Sequence, residues 1–214
     1  AAESPSAMAS RLAVAKARLL QPLDYITVGV NQRALVIGGG VAGMTSALAL
    51  ADQGYVVDLV ERKDRLGGNA LLLHTTWRGG LVKPRLDALI RKVTGHDKIT
   101  IHYNAVVEGV SGVVGNFTTT LSTGAAIDHG VVVIAIGAEP LRHEGMYLYK
   151  ENPNVLLSLD LDREIIENSE RLQKAQAAAF ILCVGSRTPE RPYCNKVCCA
   201  HSVENAIKLK TLNP

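Results

Sequence analysis

Apolar residues recur along this chain with two different periods, and the switches between them place its elements. From Arg33 onward, ALVIG is a short apolar run that breaks into GGVAG, after which MTSALALADQG carries Ala, Leu and Met on one helical face. YVVDLVE follows as a second apolar run, so the pattern reads strand, glycine turn, helix, strand: a βαβ unit. Residues Leu81 to Val93 form a second helical pattern, with Leu86, Leu89, Ile90 and Val93 recurring among Lys and Arg, and Pro84 fits its first turn. Beyond Gly95, the β-rich runs ITIHY, AVVEGV and NFTTTL are separated by Asn, Gly and Ser and predict a small antiparallel excursion. The chain then returns to VVVIAIG, which predicts a buried strand.

Upstream, Met8, Leu12, Ala15 and Leu19 stand at helical spacing, with Arg11, Lys16 and Arg18 on other faces and Pro22 as a stop. A packing helix is the favoured reading. A cleaved presequence is the alternative, against which stand Glu3 and the lack of a continuous apolar stretch. Downstream of Gly137 the chain turns polar and proline-containing through EPLRHEG and KENPN, which marks a connection. Leu159 to Gln176 is predicted helical, and AAAFILCVG has the unbroken apolar run of a strand buried on both faces, opening a second parallel unit that nothing after Pro214 completes. The expected organisation is an N-terminal helical segment (1–32), a Rossmann-like α/β domain (33–140) with a parallel sheet and a small antiparallel excursion, a connection (141–178), and the start of a second nucleotide-domain-like unit (179–214).

Composition narrows the classes. With 214 residues, 47% of them hydrophobic, the chain is long enough for a sizeable core. Its formal charge of +3 comes from interspersed signs with no long basic run, which argues against nucleic acid as a partner. Gly, Asp, Lys or Arg interrupts every apolar run before the roughly 18 residues a membrane span requires.

The chemistry starts at the glycine turn. Gly38, Gly40 and Gly43 have GxGxxG spacing between a predicted strand and a predicted helix, the context that makes this pattern informative. Gly38 permits the tight turn, Gly40 leaves room for a diphosphate, and Gly43 lets helix and strand pack closely. The first helical residues, Val41 and Ala42, would point free N–H groups at the anion. Glu61 ends the second strand, where a carboxylate accepts hydrogen bonds from an adenosine ribose. A dinucleotide site is therefore expected.

All four cysteines fall in the last part of the chain: Cys183 after the apolar run, then Cys194, Cys198 and Cys199 in YCNKVCC. Four thiolates suit an iron–sulfur cluster or a structural zinc. Their spacing matches neither ordinary zinc ribbons nor the usual ferredoxin run, so spacing leaves cluster, zinc and redox-active thiols open. Disulfides suit small secreted domains better than this chain.

Two resemblances sharpen this reading. ERKDRLGGNA is similar to the segment that large two-dinucleotide flavoproteins, relatives of glutathione and thioredoxin reductases, place after the ribose-binding Glu. That likeness implies FAD, with Arg62 beside the adenosine and Gly67 and Gly68 passing the diphosphate. VVVIAIGAEP resembles the ATG-type motif of the same superfamily, which would set Ala135 and Gly137 against the cofactor and let Val107 hold the adenine through its backbone. The strings FILCVGSRTPERPYCNKVCCAHSVENAIKLKTLNP, NVLLSLDLDREI and ALVIGGGVAGMTSALALADQGYVVDLVER resemble the A-subunit family of heterodisulfide reductases, from about Ser10 to Pro214. This resemblance implies a [4Fe-4S] cluster on Cys183, Cys194, Cys198 and Cys199. The Cys183 to Cys194 gap is slightly short for the family.

The same likeness implies a cytoplasmic electron-transfer complex with other subunits as partners, and flavin-based electron bifurcation is one option within it. A CxxxxC pair after the glycine turn and ferredoxin-like cysteine runs are lacking, so disulfide reduction in the manner of glutathione reductase is not expected and the chain looks like a fragment. No protein acid, base or nucleophile is assigned. Two rival readings stay open: an NAD(P)H-dependent flavin reductase whose second domain opens at AAAFILCVGSR, and a zinc-stabilised scaffold. His74 and Trp77 in LLLHTTWRGG, His201, Arg187 and Arg191 are secondary candidates, for each of which an ordinary surface or packing role competes.

Overall fold

The computed structural model describes residues 4–21, 27–194 and 196–213, and Glu3, Pro22 and Pro214 lie outside them. Contacts divide the chain into two units, residues 1–30 and residues 31–214.

The first unit holds helix α1 (Pro5–Leu19). Ser4 caps it by accepting the N–H of Ala7 at 3.3 Å, Pro5 opens its first turn, and Lys16 and Arg18 face the carbonyls of its last. None of its residues is buried, so the packing expected of its apolar stripe is not seen among the described residues.

The second unit is built on a four-stranded parallel sheet. Strand β1 (Ala34–Ile37) pairs with β2 (Val57–Val60) on one side and with β7 (Val131–Ile134) on the other. Strand β3 (Ile99–His102) extends the sheet beyond β2, giving the order β3-β2-β1-β7. The run ITIHY is therefore part of the parallel sheet and not of an antiparallel excursion. It follows helix α3 (Val82–Thr94), and a crossover through a helix returns the chain parallel to the strand it left. Strands β4 (Val107–Val113), β5 (Asn116–Leu121) and β6 (Ala126–His129) form the antiparallel sheet.

Alternation along β1 explains how the layers hold. Ala34 and Val36 pack with Met44, Ala47 and Ala51 of helix α2 (Val41–Asp52) and with Leu86 and Val93 of α3. Leu35 faces the opposite way, into a cluster with Val60, Ala105, Leu121 and Ile127, where the antiparallel sheet covers the second face. Because successive side chains alternate faces, a strand covered on both must be apolar throughout, which is why ALVI shows no polar break.

Two predicted buried strands turn out differently. Strand β7 lies at the sheet edge, with Val131 47%, Val132 41% and Ile134 70% exposed. Its composition matches that of a covered strand, but among the described residues only β1 pairs with it. AAAFILCVG forms no strand, and Phe180, Ile181 and Leu182 are exposed. A strand needs a ladder partner for its N–H and C=O groups, and this segment pairs with none among the described residues.

The predicted helix from Leu159 to Gln176 is two pieces, α4 (Ser158–Ile166) and α5 (Glu170–Gln173), separated where Asn168 adopts φ +53°. These pack with the last helix, α6 (Cys198–Leu212), through Leu161, Ile165 and Leu172 against Leu209 and Leu212. Among the described residues no helix is long and apolar enough to cross a membrane.

Candidate functional site

The carboxyl ends of β1, β2 and β7 meet at the glycine turn, and sterics there dictate the sequence. A Cβ on Gly38 would lie 2.3 Å from the Ala135 carbonyl oxygen, and φ of +110° at Gly38 is itself glycine territory. A Cβ on Gly43 would lie 1.8 Å from the Gly38 carbonyl oxygen, so α2 can approach β1 this closely only without a side chain. Gly40 is different. Nothing lies within 4 Å of its would-be Cβ, and its φ of −76° suits any residue, so the fold leaves open space there that it does not itself require.

Gly40 is also the N-cap of α2 and supplies no side-chain cap. The first N–H groups of the helix, at Val41, Ala42 and Gly43, therefore have no intrahelical acceptor and face the opening with the positive end of the helix dipole. An anion is the natural partner for this arrangement.

Glu61 sits just past the end of β2, buried at 6% exposure. Its Oε2 accepts the N–H of Gly39 at 2.7 Å and its Oε1 accepts the N–H of Lys63 at 2.9 Å. A carboxylate offers about four acceptor positions, so each oxygen retains capacity for a hydroxyl donor. Gly39 is a residue that motif reasoning passed over. Besides donating to Glu61, its carbonyl accepts the N–H of Gly67 at 2.8 Å, and a Cβ there would meet Leu66 at 2.5 Å and the Glu61 carboxylate at 2.8 Å.

Gly67 and Gly68 run directly against this turn. Gly67 bridges Gly40, and a Cβ on Gly68 would stand 3.1 Å from the Gly40 Cα. The rim is tied across the mouth by two contacts between the β2 and β7 exits. Asn69 Nδ2 donates to the Ala138 carbonyl at 2.7 Å, and Arg62 Nη2 pairs with Glu139 Oε1 at 2.7 Å. The Arg62 hydrogen bond and charge hold the Glu139 carboxyl below its ordinary range. Ala135 touches Gly38, and Gly137 at φ +68° faces open space. Val107 heads β4 and packs on the cluster containing Ile37 and Val60, the residues just before Gly38 and Glu61.

The four cysteines are all free thiols. Cys183 lies in a turn with φ +60°, its carbonyl accepting the Ser186 N–H, and the loop doubles back through Arg187, which donates its N–H to the Tyr193 carbonyl. Cys194 Sγ accepts the N–H of Lys196 at 3.3 Å, and Cys198 and Cys199 open α6. The Cys199 thiol is pushed up chiefly by the charge of Cys198, with smaller contributions from Cys183 and Cys194. Among the described residues no group of three or more His, Cys, Asp or Glu side chains is already set to hold a metal ion.

His201, one turn into α6, pairs through Nε2 with Asp162 of α4. Asp162 is fully buried and also accepts the backbone N–H of His74 at 3.0 Å and the Asn205 amide at 3.1 Å. The signal in the sequence was an Asp on the apolar side of α4, beside Leu161 and Ile165. Burial depresses the protonation of the His74 imidazole and Lys208 adds to it. Trp77 is 69% exposed, with the Arg78 guanidinium 4.5 Å from its ring centre.

The pyridine nucleotide-disulphide oxidoreductase family matches residues 8–153, a span that holds every element of the glycine-turn site and ends before the cysteines. The chain is 29% identical to the second iron-sulfur A-subunit of CoB–CoM heterodisulfide reductase from Methanopyrus kandleri, over 95% of this chain and 45% of that protein. It is 45% identical to a protein of Archaeoglobus profundus that is named as like the heterodisulfide reductase A-subunit, over 49% of this chain and 15% of that protein. Among solved structures, L-proline dehydrogenase from P. horikoshii is 26% identical over 51% of this chain and 23% of that one, with a TM-score of 0.42. The chain spans about half the length of the curated relatives that it matches end to end.

Proposed function

Since the chain belongs to the pyridine nucleotide-disulphide oxidoreductase family, we propose that it is the FAD-holding, iron–sulfur-linked electron-transfer part of a heterodisulfide reductase-type complex. The observation that carries this reading is the turn at Gly38–Gly43: an uncapped helix end, a void at Gly40 and a buried Glu61 converge on one opening. The N–H groups of Val41, Ala42 and Gly43 would bind the diphosphate, Glu61 the adenosine ribose, and Gly67 and Gly68 the backbone side of the same cofactor. Arg62 and Glu139, already joined across the rim, would flank the adenosine.

For the iron–sulfur half, support comes from four free thiols, two of them opening α6, and from a relative named for its iron–sulfur content. Cys183, Cys194, Cys198 and Cys199 would ligate a [4Fe-4S] cluster, with the Lys196 N–H already donating to Cys194 sulfur in the way that tunes such centres. When bound, flavin and cluster together supply exchange between two-electron and one-electron transfers, as an electron-bifurcating complex also requires. The protein's part is to bind, orient and space them. The partners in this reading are the other subunits of that complex.

Anaerobic purification followed by flavin, iron and sulfide analysis tests it. About one flavin and four irons per chain are expected. Colourless protein with a single zinc would refute the reading in favour of a zinc-stabilised scaffold.

A further inference from the structure

Asp162 is buried to 0% exposure with no Lys or Arg paired to it among the described residues, an arrangement that costs folding free energy unless hydrogen bonds fully compensate it. The compensation comes from two segments distant in sequence. The backbone N–H of His74 belongs to the loop that leaves Gly67 and Gly68 and runs toward α3, and His201 and Asn205 belong to α6. Asn205 also donates to the Ser158 carbonyl at 3.3 Å, fixing α6 to the start of α4.

Apolar contacts also hold α4 to the far end of α6, through Leu161 and Ile165 against Leu209 and Leu212. Joining those helices therefore does not require a buried charge. What the carboxylate adds is a third element, the loop. Cys198, His201 and Asn205 recur at helical spacing along one stripe of α6, so the side of the helix gripped by Asp162 is the side on which Cys198 starts it. The loop is held at its far end as well: the His74 carbonyl accepts the Val82 N–H at 3.1 Å, and Thr75 bridges Leu81.

We infer that Asp162 is a positioning residue, a three-way clamp that fixes the cysteine-bearing first turn of α6 against the loop leaving the cofactor turn, and so sets the gap that electrons cross. This rests on the proposed function for its consequence, though not for its geometry. The carboxylate is engaged by the His74 backbone, His201 and Asn205. It acts through the His74 backbone on one side and through His201 and Asn205 on the other.

The test uses the full-length protein with Asp162→Asn, which keeps volume and removes the charge. In cofactor-free protein, hydrogen exchange is expected to rise about tenfold or more, jointly in residues 73–81 and in the first turns of α6, while the Leu209 end stays protected. In cofactor-loaded protein, flavin-to-iron electron transfer should fall by about tenfold to a hundredfold at unchanged flavin and iron content, the sensitivity expected of ångström-scale misplacement. Should Asp162→Asn fail to fold, Asn205→Ala removes one donor and supports the same comparison. Exchange that rises in α4 alone or uniformly, or a transfer rate that stays at the wild-type value with both cofactors bound, overturns the clamp. A wild-type protein free of flavin and iron would refute the proposed function alone, and the exchange pattern would still decide the clamp.

Discussion

The carboxylate of Glu61 accepts the backbone N–H of Gly39 at 2.7 Å, across 22 residues of sequence, and this one hydrogen bond joins the end of β2 to the turn that ends β1. It means that the acidic residue is oriented by the protein before any ribose arrives. Ordering cost is then already met by the fold, which is the basis of preorganised binding.

Replacing Glu61 should therefore affect both folding and cofactor retention. Glu61→Ala leaves the buried N–H of Gly39 and the part-buried N–H of Lys63 without their acceptor, a loss of about 1–3 kcal/mol. Glu61→Gln keeps one carbonyl acceptor and should retain most of that stability while weakening flavin binding. Urea unfolding of the cofactor-free proteins, alongside flavin-to-protein ratios, separates the two effects.

Gly40 and Gly43 should respond in opposite ways to the same added methyl group. In Gly43→Ala the new Cβ meets the Gly38 carbonyl at 1.8 Å, so α2 must move off β1 and the cofactor-free fold loses several kcal/mol. In Gly40→Ala the methyl enters open space, and cofactor-free stability should change by about 1 kcal/mol or less. Flavin binding should nonetheless be lost, because that space is where the diphosphate is proposed to lie. Thermal unfolding with and without added FAD tells these outcomes apart.

The glycine turn was legible because its requirements are local: a strand, a tight turn and a helix within about twenty residues leave few ways to arrange the backbone. Apolar composition, by contrast, reports that a strand is suited to burial and not what covers it. VVVI reads like a covered strand and lies at the edge, and FILCVG reads like one and pairs with nothing described. ITIHY was recognisable as β, but its parallel partner β2 lies some forty residues back, beyond the reach of local patterning. The Asp162 clamp was invisible for the same reason. Its donors stand 88, 39 and 43 residues away, and only the oddity of an Asp on an apolar helical face pointed to it.

Acid should weaken that clamp. Burial favours the protonated form of Asp162, but hydrogen bonds from His201, the His74 backbone and Asn205 outweigh it and hold the carboxyl below its ordinary range. Burial and Lys208 lower the His74 imidazole while Asp162 and Glu204 raise it, with a lowered value as the net result. A carboxyl depressed in the folded state contributes stability that is fully present above its unfolded value of about 3.9 and is lost as pH falls through the lower folded value. Stability measured by urea unfolding should thus hold from neutral pH down to about 5 and then fall. Asp162→Asn should be less stable at pH 7 and show a shallower acid limb. Parallel acid limbs for the two proteins would show that other carboxylates control the transition.

The cysteines offer the sharpest separation between the two halves of the proposed site. Cys198 lies at the start of α6, and its charge is the foremost influence on the Cys199 thiol, whereas the glycine-turn site and its rim are assembled from residues up to Glu139. Cys198→Ala should therefore remove most of the bound iron, about four per chain in the intact protein, while the flavin-to-protein ratio stays close to wild type. Cys183→Ala tests the residue whose spacing to Cys194 is short, and equal loss of iron there would make it a full ligand. Iron that survives Cys198→Ala would place the metal elsewhere. Flavin lost together with iron in both variants would mean that the two sites fold as one and are not independent.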